Sequence, residues 1–490
     1  MQAIETQLFA AGMPVAALME KVAGRIAARI RERYPQPCRV GVLVGPGHNG
    51  GDALVVAREL HHAGHAVSLC SPFEQRKPLT EAHWHYGQWL GLPCVSDPAE
   101  LDPQLWVDGW FGFGLEREID PPLAAAIARV NAHPAPVVAI DLPSGLHTDR
   151  GHPLGAAIRA DWTLCLGLWK QGLFEDTARP WVGEVECLGF DIPPAAIARE
   201  LGESAPAQHL TLADLTTGLP LPLEADSHKY RRGHLLLIAG SHRYRGAPLL
   251  AGLAARSSGV GMLTLAVPRS LASGLSLELP EALVLPCPET PAGAIATLPA
   301  ELSRYDAIAC GPGLDRDAHP WLQTVLDSDR PLVLDADALT CLSPWQIPPR
   351  TAPTWVTPHG GEFQRLWPGL NDHPSWAAVT TAARQAGMIV IRKGPCTHLA
   401  DAEDRLRIWG SGTPALARGG SGDVLTGLLG GLAAIANRTG QAPLAVASTA
   451  VIWHGAAARD LARQRSPLDV SASRLAEFLG PWLAQHLSQA

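Results

Sequence analysis

The chain has 490 residues, 47% of them hydrophobic and 18% charged, which excludes a mainly disordered protein and provides material for two or three packed domains. A net charge of -8 argues against nucleic acid or an anionic membrane as the principal partner, and apolar runs broken by Gly, Pro or charge before about 18 residues argue against a transmembrane helix. Nine scattered cysteines without a CxxC pair fit a reducing cytoplasm, and the start MQAIETQLFAAG lacks the basic-then-apolar layout of a secretory signal.

Residues 15–33 predict an amphipathic helix, because Leu18, Val22, Ile26 and Ile30 fall on one stripe. The run RVGVLV at 39–44 predicts a short buried strand, GPGHNGG a glycine loop, and residues 52–63 a helix. Strand, glycine loop and helix is the phosphate-cradling arrangement of doubly wound sheets, although the GK[ST] of a P-loop is absent and a plain tight turn would use the same residues. Further strands are predicted at 66–70, 105–108 and 137–141. Asp108 and Asp141 close two of them, at the carboxyl ends where α/β proteins bind ligands. One such acid is often a helix cap; two beside a GHNGGD loop favour a site. His61, His62, His65, His83 and His85 form a local His-rich region, read as solvated surface because no third metal ligand accompanies the His61/His65 pair. Lys170 follows a strand and reads as a substrate contact or as a support of the fold.

Residues 191–227 are rich in Pro and Ala and carry no clear strand. The boundary is placed there, with a first domain at 1–210, a linker region at 211–227 and a second domain at 228–490. Residues 228–245 hold Lys229, Arg231, Arg232, Arg243 and Arg245, either a solvated basic surface or a means of steering an anionic dinucleotide. Strands predicted at 262–267, 307–310, 332–335, 355–357 and 388–392 alternate with helices or glycine loops, which predicts a mainly parallel sheet. Residues 410–431 read GSGTPALARGGSGDVLTGLLGG, a loop that becomes a helix at Asp423. Asp423 there is either an N-terminal cap, or a base beside a phosphate held by the free amides of the helix start.

Taken together, these motifs resemble a known pair of families. GPGHNGGDALVVAR, VDGWFGFGL and IDLPSGL resemble the three motifs of NAD(P)H-hydrate epimerase domains. GGSGDVLTG resembles the anion-hole motif of the ribokinase-like superfamily, specifically of the ADP- or ATP-dependent NAD(P)H-hydrate dehydratases. The resemblance implies an α/β protein of two doubly wound domains, an N-terminal Rossmann-like three-layer sandwich and a C-terminal ribokinase-like α/β/α domain. In the first domain it implies substrate contacts at His48, Asn49, Gly50, Gly51 and Asp52, and at Gly112, Phe113, Gly114, Leu115, Glu116, Arg117 and Glu118. It implies potassium ligands at Asn49, Asp108 and Ser144, and a catalytic acid at Asp141. In the second it implies substrate contacts at Ala247, Gly313, His359 and Asp423, with Asp423 the catalytic base. The nucleotide would be met by Lys393, Gly394, Pro395, Cys396, Thr397 and Gly422. The chain departs from the usual pattern at His48 and Phe113, where Asn and Thr are common, and at Arg418, where Thr is common; Arg418 is also a candidate phosphate contact.

The activity implied is repair of NADH hydrate and NADPH hydrate in the cytoplasm, with ADP, Mg2+ and K+, by a homo-oligomer without nucleic-acid or membrane partners. One domain interconverts the R and S epimers. In the other, Asp423 deprotonates the C6 hydroxyl of the S form, the oxygen attacks the terminal phosphate of ADP, and the ring nitrogen expels the phosphorylated oxygen to leave NAD(P)H, AMP and phosphate. A small-molecule kinase of the ribokinase-like superfamily would use the Asp423 loop equally well, but leaves the first half unexplained. A non-catalytic first domain is opposed by the retention of Asn49, Asp108 and Asp141.

Overall fold

Apolar runs such as RVGVLV leave no face fit for water, and the protein buries them in parallel sheets covered by helices on both sides. The computed structural model describes every residue except 203–206, 223–225, 316–318, 344, 346, 348 and 488–490. The chain divides into two compact units, 1–205 and 206–490.

The first unit carries β1 (Arg39–Val44), β2 (Ala66–Cys70), β3 (Cys94–Val95), β4 (Leu105–Gly109), β5 (Val137–Ile140), β6 (Trp162–Leu166) and β7 (Glu184–Leu188). They lie side by side in the order β3-β2-β1-β4-β5-β6-β7, all parallel. The order reverses between β1 and β4, the place where doubly wound sheets open a crevice at their carboxyl ends. Helices Val15–Arg33 and His48–His62 cover one face with Leu18, Val22, Ile26, Leu54 and Val55. Helix Pro121–Ala132 covers the other with Leu123, Ile127 and Val130.

The second unit carries β8 (Ala207–His209), β9 (His234–Ile238), β10 (Met262–Pro268), β11 (Leu283–Cys287), β12 (Ala307–Cys310), β13 (Leu332–Leu334), β14 (Thr354–Val356), β15 (Ile389–Arg392), β16 (Thr397–Ala400) and β17 (Leu406–Trp409). The sheet order is β11-β10-β9-β12-β13-β14-β15-β16-β17-β8. It is parallel except at β16, which runs antiparallel to both neighbours. Helices Ser421–Thr439 and Pro443–Gln464 are buried along most of their length against this sheet.

Helix 15–33 and strands 39–44, 66–70 and 307–310 fall where the periodicity puts them. Four expectations are corrected. The helix expected at 52–63 begins at His48, so the NGGD segment forms its first turn rather than the preceding loop. Strand β8 lies in the stretch read as strandless and pairs with β17, and the helical turn Leu212–Gly218 packs its Leu215 into the second core. Residues 207–218 therefore belong to the second unit, and not to a first domain ending at 210 with a linker after it; residues 223–225 of that linker lie outside the described residues. Thr397 opens β16 instead of closing a loop. His65, expected on a solvated surface, is buried, and its Nδ1 accepts the Cys38 amide at 3.2 Å.

Candidate active sites

In the first unit, four neighbouring strands, β1, β4, β5 and β6, send their carboxyl ends to one cavity of about 700 Å³. Asp141 follows β5 with φ 68°, a left-handed conformation that costs a non-glycine residue about 1–3 kcal/mol and is found where a side chain must be aimed. Its Oδ2 accepts the Phe113 amide at 3.1 Å, and its Oδ1 accepts the Leu166 amide at 3.1 Å and Lys170 Nζ at 2.5 Å. Lys170 is buried and also donates to the Leu166 carbonyl at 2.5 Å. Burial opposes its charge, but the Asp141 carboxylate outweighs burial and raises the ammonium above its usual range. Asp52 and Glu5 line the same cavity. Burial, then the charge of Asp141, pushes both carboxyls up, Asp52 well above its usual range. The cavity thus holds one ion-paired carboxylate and two carboxyls biased toward their neutral form.

Beside it lies an oxygen-rich nest. Asp108 is fully buried at the end of β4; Ser144 donates to it from Oγ at 2.6 Å and from its amide at 2.8 Å. Burial still pushes the Asp108 carboxyl up to about 6. Asn49 packs against the 109–112 loop: a Cβ on Gly112 would stand 3.1 Å from Asn49 Oδ1, and the buried Nδ2 of Asn49 has no partner. The buried carboxylate, the Ser144 hydroxyl oxygen and the Asn49 amide oxygen are the hard oxygens an alkali cation takes, whereas the unpartnered Nδ2 is an N–H donor and ligates none.

In the second unit, adjacent strands again converge. Gly313 follows β12, Asp335 follows β13, His359 follows β14 and Lys393 follows β15, and the start of helix Ser421–Thr439 meets them. Lys393 Nζ lies 2.6 Å from Asp335 Oδ1, and Thr426 Oγ1 donates to Oδ2 at 2.6 Å. Burial alone would raise the Asp335 carboxyl, but the Lys393 ammonium and its hydroxyl donors more than reverse this and hold it low. Asp423 has no such compensation. Burial, then the charge of Asp335, pushes it up to about 7, with Lys393 only partly opposing. The helix start is shaped by Gly420, whose φ of 91° a side chain would strain. A Cβ at Gly422 would sit 3.3 Å from Lys393 Nζ, so the bare backbone leaves the lysine accessible from the helix start. The Nε2 of buried His454 lies 3.0 Å from the Ser421 carbonyl, and burial holds the ring's pKa down to about 4. The ring is therefore neutral at physiological pH and its Nε2–H donates.

His48, Asn49 and Asp52 line the first cavity with residues 112–116. Gly50 and Gly51 do not, for a packing reason: a Cβ on Gly50 would lie 2.0 Å from the Gly45 carbonyl, and one on Gly51 2.6 Å from Met19. Arg117 and Glu118 are exposed outside the lining. Gly313 and Ala247 meet in the second unit, 2.9 Å apart if Gly313 carried a Cβ. His359 caps helix Gly360–Leu366 with Nδ1 toward the Gly361 and Glu362 amides, which leaves the ring half-exposed. Cys396 is buried, while Gly394 and Pro395 are exposed at the β15–β16 turn. Arg418 donates to the Leu468 carbonyl at 2.6 Å. Glu5 and His454 carry no motif signal, since Glu5 stands in an N-terminal helix and His454 inside an apolar one, neither in a glycine loop nor at a strand end. Among the described residues no group of three or more His, Cys, Asp or Glu is arranged to hold a metal ion, and no helix is long and apolar enough to cross a membrane.

Comparison with known proteins bears on both units. Residues 235–480 match the family described as NAD(P)H-hydrate dehydratase, and residues 15–172 match the family described as YjeF-related protein N-terminus. The bifunctional NAD(P)H-hydrate repair enzyme of Thermosynechococcus vestitus is 49% identical over 498 residues, covering 100% of this chain and 97% of that protein. The enzyme of the same description from Synechocystis sp. is 48% identical, covering 99% and 94%. A ribokinase-like superfamily protein of known structure from Enterococcus faecalis is 24% identical with a TM-score of 0.50, covering 58% of this chain and 97% of its own, a likeness of fold.

Proposed function

This chain belongs to the family of bifunctional NAD(P)H-hydrate repair enzymes, and from that premise we propose how its residues divide the repair between the two units. The first unit exchanges the hydroxyl at C6 of the hydrated nicotinamide. Asp52 or Glu5, biased toward the protonated form, gives a proton to the departing hydroxyl while the ring nitrogen's lone pair forms the iminium. Water returns to either face and loses its proton to Asp141, which Lys170 holds in place. Asn49, Asp108 and Ser144 would hold potassium, which supplies a fixed positive charge beside this site.

The second unit removes the hydroxyl from the S epimer with ADP. Asp423 takes the C6 hydroxyl proton; the oxygen attacks the terminal phosphate, and the amides of residues 419–422 hold the transferring charge. Loss of the phosphorylated oxygen, driven by the ring nitrogen, and of a proton from C5 yields NAD(P)H, AMP and phosphate. Lys393 lies beneath Gly422, placed to face phosphate charge. Magnesium would come with the nucleotide's phosphates. A cytoplasmic homo-oligomer without nucleic-acid or membrane partners completes the reading.

The observation that carries it is the unpaired Asp423, with a pKa of about 7, at the start of a glycine-led helix beside a lysine whose charge Asp335 already balances. The test mixes R and S NADH hydrates with the protein, ADP, magnesium and potassium and follows NADH absorbance. Recovery from both epimers, lost entirely in Asp423→Ala and restricted to the S fraction in Asp141→Ala, supports the reading. A stable phosphorylated product without NADH would replace it with a small-molecule kinase. Loss of epimerisation without potassium would support the ion site.

A further inference from the structure

Two cysteines stand side by side next to the Asp141–Lys170 pair. β6 and β7 run in parallel with Cys165 directly opposite Cys187. Neighbouring strands are about 4.8 Å apart, inside the Cα separation that a disulfide spans. Parallel pairing turns both side chains to one face, so the two thiols are direct neighbours. Cys165 is fully buried and Cys187 is half-buried on the edge strand.

Both thiols hold the same short segment. Cys165 Sγ donates to the Leu168 carbonyl at 3.4 Å and Cys187 Sγ to the Gly167 carbonyl at 3.4 Å. The segment continues into Lys170, whose ammonium is anchored on the Leu166 carbonyl and Asp141. Three side chains thus fix residues 166–170, and two of them are thiols.

We propose that Cys187 and Cys165 form a peroxide-sensitive oxidation site that controls the epimerase half through the 166–170 segment. The Cys187 thiolate attacks one oxygen of a hydroperoxide; the O–O bond breaks, the other oxygen leaves as hydroxide or alkoxide, and Cys187 becomes a sulfenic acid. The Cys165 sulfur then displaces the hydroxyl from Cys187, so that an S–S bond forms, an S–O bond breaks and water leaves with the Cys165 proton. The peroxide is reduced and the two thiols are oxidised. The environment supports this division of labour. The neighbouring Cys165 thiol, and then the Lys170 ammonium, draw the Cys187 thiol below its usual range, while burial pushes Cys165 up. The disulfide removes both S–H donors at once. The Gly167 and Leu168 carbonyls lose their partners, and the segment that aims Lys170 at Asp141 is released.

The functional consequence rests on the epimerase reading of the Asp141 cavity; the chemistry does not. The full-length protein is treated with hydrogen peroxide, mapped by mass spectrometry of its peptides and assayed for both activities. A Cys165–Cys187 link, reversed by dithiothreitol, is expected, together with an epimerase loss of about tenfold or more, the scale on which small misplacement of a reacting group acts. Dehydration of the S epimer stays unchanged. Cys165→Ser should stop at a dimedone-trappable sulfenic acid on Cys187, and Cys187→Ser should keep its epimerase rate under peroxide. Oxidation of the exposed Cys94 and Cys341 with Cys165 and Cys187 left as thiols overturns the proposal, as does a link that leaves the epimerase rate intact. A reduced protein that never epimerises refutes the epimerase reading instead, and the peptide map still decides whether the pair is oxidised.

Discussion

The two units each pair one lysine with one buried aspartate at the carboxyl end of a parallel sheet, Lys170 with Asp141 at 2.5 Å and Lys393 with Asp335 at 2.6 Å. In the first unit the paired aspartate faces the cavity and is itself the proposed proton acceptor. In the second the paired aspartate is spent on the lysine, and a further acid, Asp423, stays near pKa 7 at a helix start. The difference follows the chemistry. Hydroxyl exchange needs an ionised carboxylate and a protonated one in a single cavity, with no charge to transfer. Phosphoryl transfer needs a base that does not repel the phosphate before it acts, so a carboxyl near half-protonation is the better neighbour for an anion.

The largest effect that sharpens this comparison is expected from Asp423→Ala. It should lower dehydration by about 10²–10⁴-fold, the usual yield of a positioned acid or base, and leave the R/S exchange rate unchanged. Equal losses in both assays would break the division of labour. Lys170→Met should come next. It leaves the buried Asp141 charge without its partner, which costs about 3–5 kcal/mol, so the first unit should melt earlier and epimerisation should vanish. Denaturant titration followed by epimer chromatography checks both; an unchanged midpoint would mean that the pair is not the support the structure makes it. A smaller effect is expected in the pH profile. Asp423 acts as a base only when ionised, and with a pKa of about 7 its ionised fraction rises about tenfold between about pH 6 and about pH 8. The kcat/KM for dehydration should rise accordingly and then level off; a flat profile would remove Asp423 as the base.

Much of this comparison can be read from the sequence because strand ends and glycine loops leave local marks. Asp108, Asp141, Asp335 and Lys393 all close or follow apolar runs, and Asp423 opens the periodic run of a helix. What is not legible is partnership. Asp335 and Lys393 are 58 residues apart, and only the β13-β14-β15 order brings their strands near. Glu5 enters the first cavity from an N-terminal helix with no motif, and His454 reaches the Ser421 carbonyl from the interior of an apolar helix. The start of helix His48–His62 is hidden for a related reason. Gly50 and Gly51 read locally as breakers, yet they lie inside the helix and are glycine there because the Gly45 carbonyl and Met19 leave no room for a side chain. Strand β8 is too short and too polar to signal itself, and exists because β17 offers an edge.

The smallest expected effect is thermodynamic and concerns the cost of leaving Asp423 unpaired. Its folded pKa of about 7 lies above the ordinary carboxylate value of 3.8, so the folded chain keeps a proton that the unfolded chain has released. Between those values stability must fall as pH rises, and above about pH 7 the loss is complete. Asp423→Asn, nearly isosteric and unable to ionise, should escape this loss. At 1.36 kcal/mol per pKa unit, and discounted for the part of the group that water still reaches, its advantage over wild type should widen by about 2 kcal/mol from about pH 5 to about pH 8. Unfolding midpoints at the two pH values measure the gap directly. The analogous change at Asp335 should run the other way, because there Lys393 favours the ionised form and its loss leaves a buried ammonium alone. A gap at Asp423 that fails to widen with pH would mean that the acid is compensated after all, and that the two units resemble each other more closely than their geometry implies.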